Sequence, residues 1–120
     1  MGKTKRVLLV DDFVSYRENI AMVLTLYDYE IDEAGSIEEA SVFLENNVYT
    51  HYILDYNLPD GLGIDIFRKW RSKMKNKTIM ISGKNKRELE YIVLSEGISE
   101  VINKPINMSL LKKALKRIKK

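Results

Sequence analysis

Cysteine is absent from this chain, which excludes disulfides and thiolate metal sites and fits a reducing compartment. No stretch approaches the roughly 18 apolar residues of a membrane-spanning helix, so no membrane insertion is expected. The basic start Met1-Gly2-Lys3-Thr4-Lys5-Arg6 is followed only by Val7-Leu8-Leu9-Val10, too short for the apolar centre of a secretory signal. Gly2 does not open a myristoylation motif, because Arg6 stands where that motif needs Ser or Thr. Repeats and linkers are missing too, and the only biased segment is a Lys/Arg-rich end. These absences read as a cytoplasmic protein.

What remains is ordinary globular material. The chain has 120 residues, 45% of them hydrophobic and 31% charged. That is one domain's worth of chain, 1–120, with enough apolar content for a core. The net charge of +3 hides an asymmetry. Residues 1–65 carry 13 acidic and 4 basic side chains, and residues 66–120 carry 4 acidic and 16 basic. Such a split suits either two surfaces with different partners or plain solvated helix faces.

Short apolar runs alternate with amphipathic stretches. Val7–Val10 predicts a buried strand ending at Asp11-Asp12. Tyr16, Ile20, Val23, Leu24 and Tyr27 then fall on one helical stripe. Glu30–Ala34 is a weaker strand signal. Ser36 with Glu39 three residues on is a capping box that starts a helix running to about Glu45. Tyr52-Ile53-Leu54 predicts a third strand ending at Asp55, and Leu58-Pro59-Asp60-Gly61 is loop chemistry. A helix is expected from Ile64 to about Lys73, with Phe67 and Trp70 as core residues. Thr78–Ile81 predicts a fourth strand ending at Ser82-Gly83, followed by a helix marked by Leu89, Ile92 and Val93 and closed by Gly97. Val101-Ile102 predicts a short fifth strand ending at Lys104-Pro105. Asn107 is the expected cap of a last helix with Met108, Leu111, Leu115 and Ile118 inward. Five strand–helix pairs imply an α/β protein with a parallel sheet and helices on both faces.

In such a sheet ligands bind outside the carboxyl ends of the strands. The polar residues ending the strands are Asp11, Asp12, Asp55, Ser82 and Lys104, and all fall on that edge. Carboxylates brought together repel, and a hard divalent cation such as Mg²⁺ relieves the conflict with oxygen ligands. A carboxylate that faces a phosphoryl group can act as nucleophile. A lysine opposite can neutralise phosphoryl oxygens, and a small hydroxyl can donate to them. His51, the one histidine, precedes the third strand at the far end and is expected to be structural or exposed.

Asp11-Asp12, Asp55, Ser82-Gly83 and Lys104-Pro105, in this order at these strand ends, resemble the response regulator receiver domain. Val7–Asp12 is similar to that family's opening, and Asp55-Tyr56-Asn57-Leu58-Pro59-Asp60-Gly61, with Gly63, to its phosphorylation loop. The resemblance covers nearly the whole chain. It implies a flavodoxin-like three-layer (βα)₅ sandwich of strand order 2-1-3-4-5. It also implies transfer of a phosphoryl group to Asp55 from a sensor histidine kinase or phosphotransfer protein, with no other enzymatic activity. Mg²⁺, or Mn²⁺ in its place, would be held by Asp12, Asp55 and the backbone carbonyl of Asn57, with Asp11 acting through water. Ser82 and Lys104 would contact the phosphoryl group beside Gly83, and Lys104-Pro105 would be a cis bond. The start at Met1 and the lack of a trailing linker favour a stand-alone receiver, monomeric or weakly dimeric, over one cut from a longer protein.

The chain departs from the family at Val101, where an aromatic switch residue is common, at Gly83, where alanine is common, and at Lys84. Valine cannot make the large ring rotation, so activation is expected to act through the backbone around Ser82–Arg87. Gly83 removes a methyl beside the site, and Lys84 stands where water access is tuned. The output face is expected around Val101, Lys112, Lys113 and Lys116, in a last helix that also carries Arg117, Lys119 and Lys120. Such a cationic face suits an acidic partner. A small aspartate-dependent phosphatase would also use Asp55, but it needs a second Asp where Asn57 stands. A nucleic-acid-binding module would fit the basic last helix, but no binding motif or interleaved aromatic platform accompanies it.

Overall fold

The computed structural model describes residues 4–83 and 86–118, without the side chains of residues 86–88 and 92. Among these residues the strands are β1 (Lys5–Val10), β2 (Tyr29–Ala34), β3 (His51–Asp55), β4 (Thr78–Ser82) and β5 (Glu100–Asn103). They form one parallel sheet of order β2-β1-β3-β4-β5. The helices are α1 (Val14–Leu26), α2 (Ile37–Asn46), α3 (Gly63–Lys69), α4 (Lys86–Leu94) and α5 (Met108–Arg117). This is the flavodoxin-like order expected from the sequence.

Side chains alternate across a strand, and the apolar runs split accordingly. Val7, Leu9, Ile53, Ile79, Ile81 and Ile102 pack with Ile20, Leu24, Leu111 and Leu115 on the face covered by α1 and α5. Leu8, Val10, Tyr52, Leu54, Met80 and Val101 pack with Leu44, Phe67, Leu89 and Val93 on the face covered by α2, α3 and α4. Continuous apolar runs therefore mark strands that are buried on both sides.

The caps follow the sequence signals. Ser36 Oγ accepts from the Glu39 amide at 3.1 Å, and Glu39 Oε1 accepts in return from the Gly35 amide at 2.7 Å, one residue earlier than a standard capping box. Asn107 Oδ1 accepts from the Leu110 amide at 3.2 Å.

Two expectations need correction. The helix predicted over residues 64–73 is two pieces, α3 and a single turn Arg71–Met74. Trp70 lies between them at φ −110° and ψ 27°, and its carbonyl accepts from both Lys73 and Met74. Tyr27 is not on the inner stripe of α1. It caps the helix end and is exposed, with Lys112 Nζ 3.3 Å from its ring centroid. The expected Leu58-Pro59-Asp60-Gly61 turn closes a short antiparallel hairpin, Asn57–Leu58 with Gly61–Leu62. The Ile92 side chain lies outside the described residues.

Candidate functional site

Asp11 follows β1, Asp55 ends β3, Ser82 ends β4 and Lys104 follows β5. Because the strands are parallel, all four meet at one edge. Asp11, Asp55 and Ser82 are buried, while Asp12 is exposed. Asp11, Asp12 and Asp55 each offer a carboxylate oxygen within 4.8 Å of the others. Lys104 Nζ lies 2.8 Å from Asp55 Oδ2 and 3.5 Å from Asp11 Oδ2. Three carboxylates facing one ammonium leave the cluster short of positive charge. All its side-chain donors are hard oxygens, and that set fits a divalent cation of the Mg²⁺ or Mn²⁺ class.

The surrounding backbone fixes each group. Asp11 Oδ1 accepts from the Phe13 amide at 2.9 Å, which turns the chain from β1 into α1. Asp55 Oδ1 accepts from the Asn57 amide at 3.3 Å. The Tyr56 amide donates to Ile81 O at 2.8 Å, and the Lys104 amide to Ser82 O at 2.9 Å. The ends of β3, β4 and β5 are thus stitched together beside the carboxylates. Gly63 is required here, because a Cβ on it would lie 2.2 Å from the Asp55 carbonyl oxygen.

Burial, joined by the negative charge of Asp11, holds the Asp55 carboxyl above its ordinary value against the pull of Lys104. Burial alone would lower Lys104, but the hydrogen bond and charge of Asp55, with Asp11, leave it raised.

Two neighbours left no local trace in the sequence. Arg17 Nη1 donates to Asp11 O at 2.8 Å while its Nε donates to Glu33 Oε1 at 3.0 Å, tying the acidic turn to the end of β2. Asp60 accepts from the Ile37 amide at 2.8 Å and the Glu38 amide at 3.1 Å, fastening the hairpin after Asp55 to the start of α2. Those amide bonds, the one from Ile37 first, hold the Asp60 carboxyl below its ordinary value.

The Lys104–Pro105 peptide bond is cis, as expected. His51 is structural rather than exposed: its Nε2 lies 3.0 Å from Leu115 O and its Nδ1 2.6 Å from Thr50 Oγ1. The assignment of Val101 to an output surface is corrected, because its side chain is 2% exposed and packs in the core under α4. Lys112 is half-buried against Tyr27, whereas Lys113 and Lys116 are exposed. A Cβ at Gly83 would meet nothing within 4 Å, so alanine would fit there as well. Lys84, Lys119 and Lys120 lie outside the described residues.

A model of the response regulator receiver domain matches residues 7–116. The chain belongs to that family. Among curated relatives it is similar to the transcriptional regulatory protein PhoP of Escherichia coli K12, 27% identical over 104 residues, which is 86% of this chain and 47% of that protein. The chain therefore spans about half the length of the curated relatives it matches. Among solved structures it is similar to the non-phosphorylated HemR receiver domain of Leptospira biflexa, with TM-score 0.86 and 26% identity over 95% of this chain and 93% of that one. It is also similar to the response regulator TrrA of Thermotoga maritima, solved in complex with Mg²⁺–BeF, with TM-score 0.81 and 29% identity over 96% and 99% of the two chains. No helix among the described residues is long and apolar enough to cross a membrane.

Proposed function

We propose that this receiver domain accepts a phosphoryl group on Asp55 from the phosphohistidine of a sensor histidine kinase or phosphotransfer protein, in a Mg²⁺-dependent reaction. The observation that carries the reading is the Asp55 carboxylate: buried, bonded to Lys104, and within 4.8 Å of the oxygens of Asp11 and Asp12. An Asp55 oxygen attacks phosphorus, the donor P–N bond breaks, the imidazole leaves with the electron pair, and an acyl phosphate remains. Mg²⁺, when bound, offsets the charge of the transferring phosphoryl oxygens and of the carboxylates around them. Asp12, Asp55 and the Asn57 carbonyl would hold the ion, with Asp11 acting through water.

Lys104 then exchanges its bond to Asp55 for one to a phosphoryl oxygen, so its charge stays paired throughout. Ser82 supplies a hydroxyl donor to the same group, at a strand end whose backbone is already bonded to Lys104. The domain would catalyse only its own phosphorylation and dephosphorylation, in the cytoplasm. Phosphorylation would act on α4, β5 and α5, where exposed Lys113 and Lys116 suit an acidic partner whose binding weakens with salt.

Incubation with Mg²⁺ and acetyl phosphate, followed by intact mass, tests the reading. One added phosphoryl group is expected on the wild-type chain, with none after Asp55→Asn and none when the divalent ion is chelated. Uptake that persists in Asp55→Asn would place the acceptor elsewhere.

A further inference from the structure

Tyr16 touches the reactive lysine and the backbone beyond it at the same time. On sequence pattern alone it belongs to the inner stripe of α1, as one more apolar contact. In the structure its ring centroid lies 5.4 Å from Lys104 Nζ. Its hydroxyl oxygen accepts from the Ile106 amide at 2.6 Å. The segment from Lys104 to Ile106 is therefore held at both ends, by Ser82 O on the Lys104 amide at 2.9 Å and by Tyr16 on the Ile106 amide. Phe13 stacks along the same ring, centroids 6.4 Å apart and planes at 17°. Phe13, Tyr16, Gly83, Lys104 and Pro105 line a groove of about 360 Å³.

We propose that Tyr16 is a positioning residue for Lys104: its ring face carries the ammonium and its hydroxyl anchors the loop from which Lys104 extends. The proposal rests on the reading of Asp55 as phosphoacceptor. Lys104 Nζ contacts Asp55 and Asp11 and also lies over the Tyr16 ring. A carboxylate holds a cation at one point, whereas the negative face of a ring is broad and holds it across a range of positions. The ammonium can therefore leave Asp55 Oδ2 for a phosphoryl oxygen while the ring continues to stabilise it. Because Tyr16 makes no described contact with the carboxylates, its effect should fall on the rate of transfer and not on metal affinity.

The test compares wild type, Tyr16→Phe and Tyr16→Leu. Phosphorylation by acetyl phosphate gives the maximal rate, calorimetry gives Mg²⁺ affinity, and NMR gives the ring-current shift of the Lys104 Cε protons. The maximal rate should fall about fivefold in Tyr16→Phe, which keeps the ring and loses the anchor, and about thirtyfold in Tyr16→Leu, which loses both. Mg²⁺ affinity should change by less than about twofold, as expected for a group outside the ligand set. The upfield shift of Lys104 should survive in Tyr16→Phe and vanish in Tyr16→Leu. An unchanged maximal rate in both variants would overturn the proposal, and so would a rate loss matched by an equal loss of Mg²⁺ affinity. Should Tyr16→Leu not fold, the rate and affinity of Tyr16→Phe decide. A wild-type chain that takes up no phosphoryl group would sink the phosphoacceptor reading instead, and the NMR comparison would still judge how Tyr16 holds Lys104.

Discussion

At the carboxyl ends of its strands the sheet buries Asp11, Asp55 and Ser82; at the amino ends it buries His51 and Thr78. The depth is similar and the pairing is not. Among the described amino-end groups, dipole meets dipole: Thr78 Oγ1 donates to Met74 O at 2.8 Å, and His51 sits between Thr50 Oγ1 and Leu115 O. At the carboxyl end like charges face each other, and Lys104 cannot satisfy them all. Buried charge without a full complement costs stability, whereas satisfied dipoles do not. One end of the sheet is built to hold the fold together. The other keeps an electrostatic deficit that a cation and a phosphoryl group can use.

The largest effect expected from breaking this contrast is at the stable end. His51→Ala removes a ring that is 1% exposed and leaves Leu115 O with the Ile118 amide alone. Urea unfolding should show a loss of about 3 kcal/mol from the cavity and the lost ring hydrogen bonds. A loss below about 1 kcal/mol would mean that the amino end is not paired as described.

At the reactive end the sign should reverse. Asp11→Asn keeps the Oδ1 acceptor for the Phe13 amide and removes one of the opposed charges. Without divalent ions the variant should be more stable than wild type by about 1 kcal/mol. Added Mg²⁺ should raise its melting temperature less than that of wild type. Equal Mg²⁺ stabilisation of both proteins would show that Asp11 is no part of the deficit.

The smallest effect near neutrality sharpens the contrast from the other side. Burial holds the hydroxyls of Tyr29, Tyr49 and Tyr52 above their ordinary value, and at Tyr49 the hydrogen bond to Asp32 adds to it. The folded chain keeps protons that the unfolded chain would release. The stability this contributes is present below the ordinary tyrosine value of about 10 and is lost as pH rises above it. Thermal melts should therefore be flat in this respect up to about pH 10 and fall steeply above it, less steeply in Tyr49→Phe. An alkaline slope unchanged by that substitution would remove Tyr49 from the account.

Much of this was open to sequence reasoning. Four of the five strands were readable because each carries a short apolar run stopped by a polar residue, whereas β2 interleaves Glu30, Asp32 and Glu33 with its apolar positions and left a weaker mark; the stops themselves, Asp11, Asp55, Ser82 and Lys104, form the site. Local chemistry also placed the caps at Ser36 and Asn107. What escaped depends on contacts between distant parts of the chain. Tyr16 meets Ile106 across 90 positions, and Asp60 meets Ile37 across 23. Neither pairing leaves a periodic or motif-like mark. Val101 misled for a related reason: a family position says where a residue sits in the strand, but the packing of α4 over β5 decides that it points inward. Trp70 was read correctly as packing on the core, yet the break it makes between α3 and the following turn is a backbone event that side-chain spacing does not encode.

Trp70 has a practical consequence. It is the only tryptophan, its indole Nε1 is buried with no hydrogen-bond partner among the described residues, and Lys69 and Lys73 lie 5.6 and 5.2 Å from its ring centroid. It follows α3, whose first residue, Gly63, packs on the Asp55 carbonyl. The helix is seven residues long, about 10 Å at its usual rise, so the chromophore and the acceptor stand at opposite ends of one rigid rod. Ultraviolet emission from this protein is thus a remote gauge. A colour change on phosphoryl uptake would be light reporting that a displacement had travelled the length of α3.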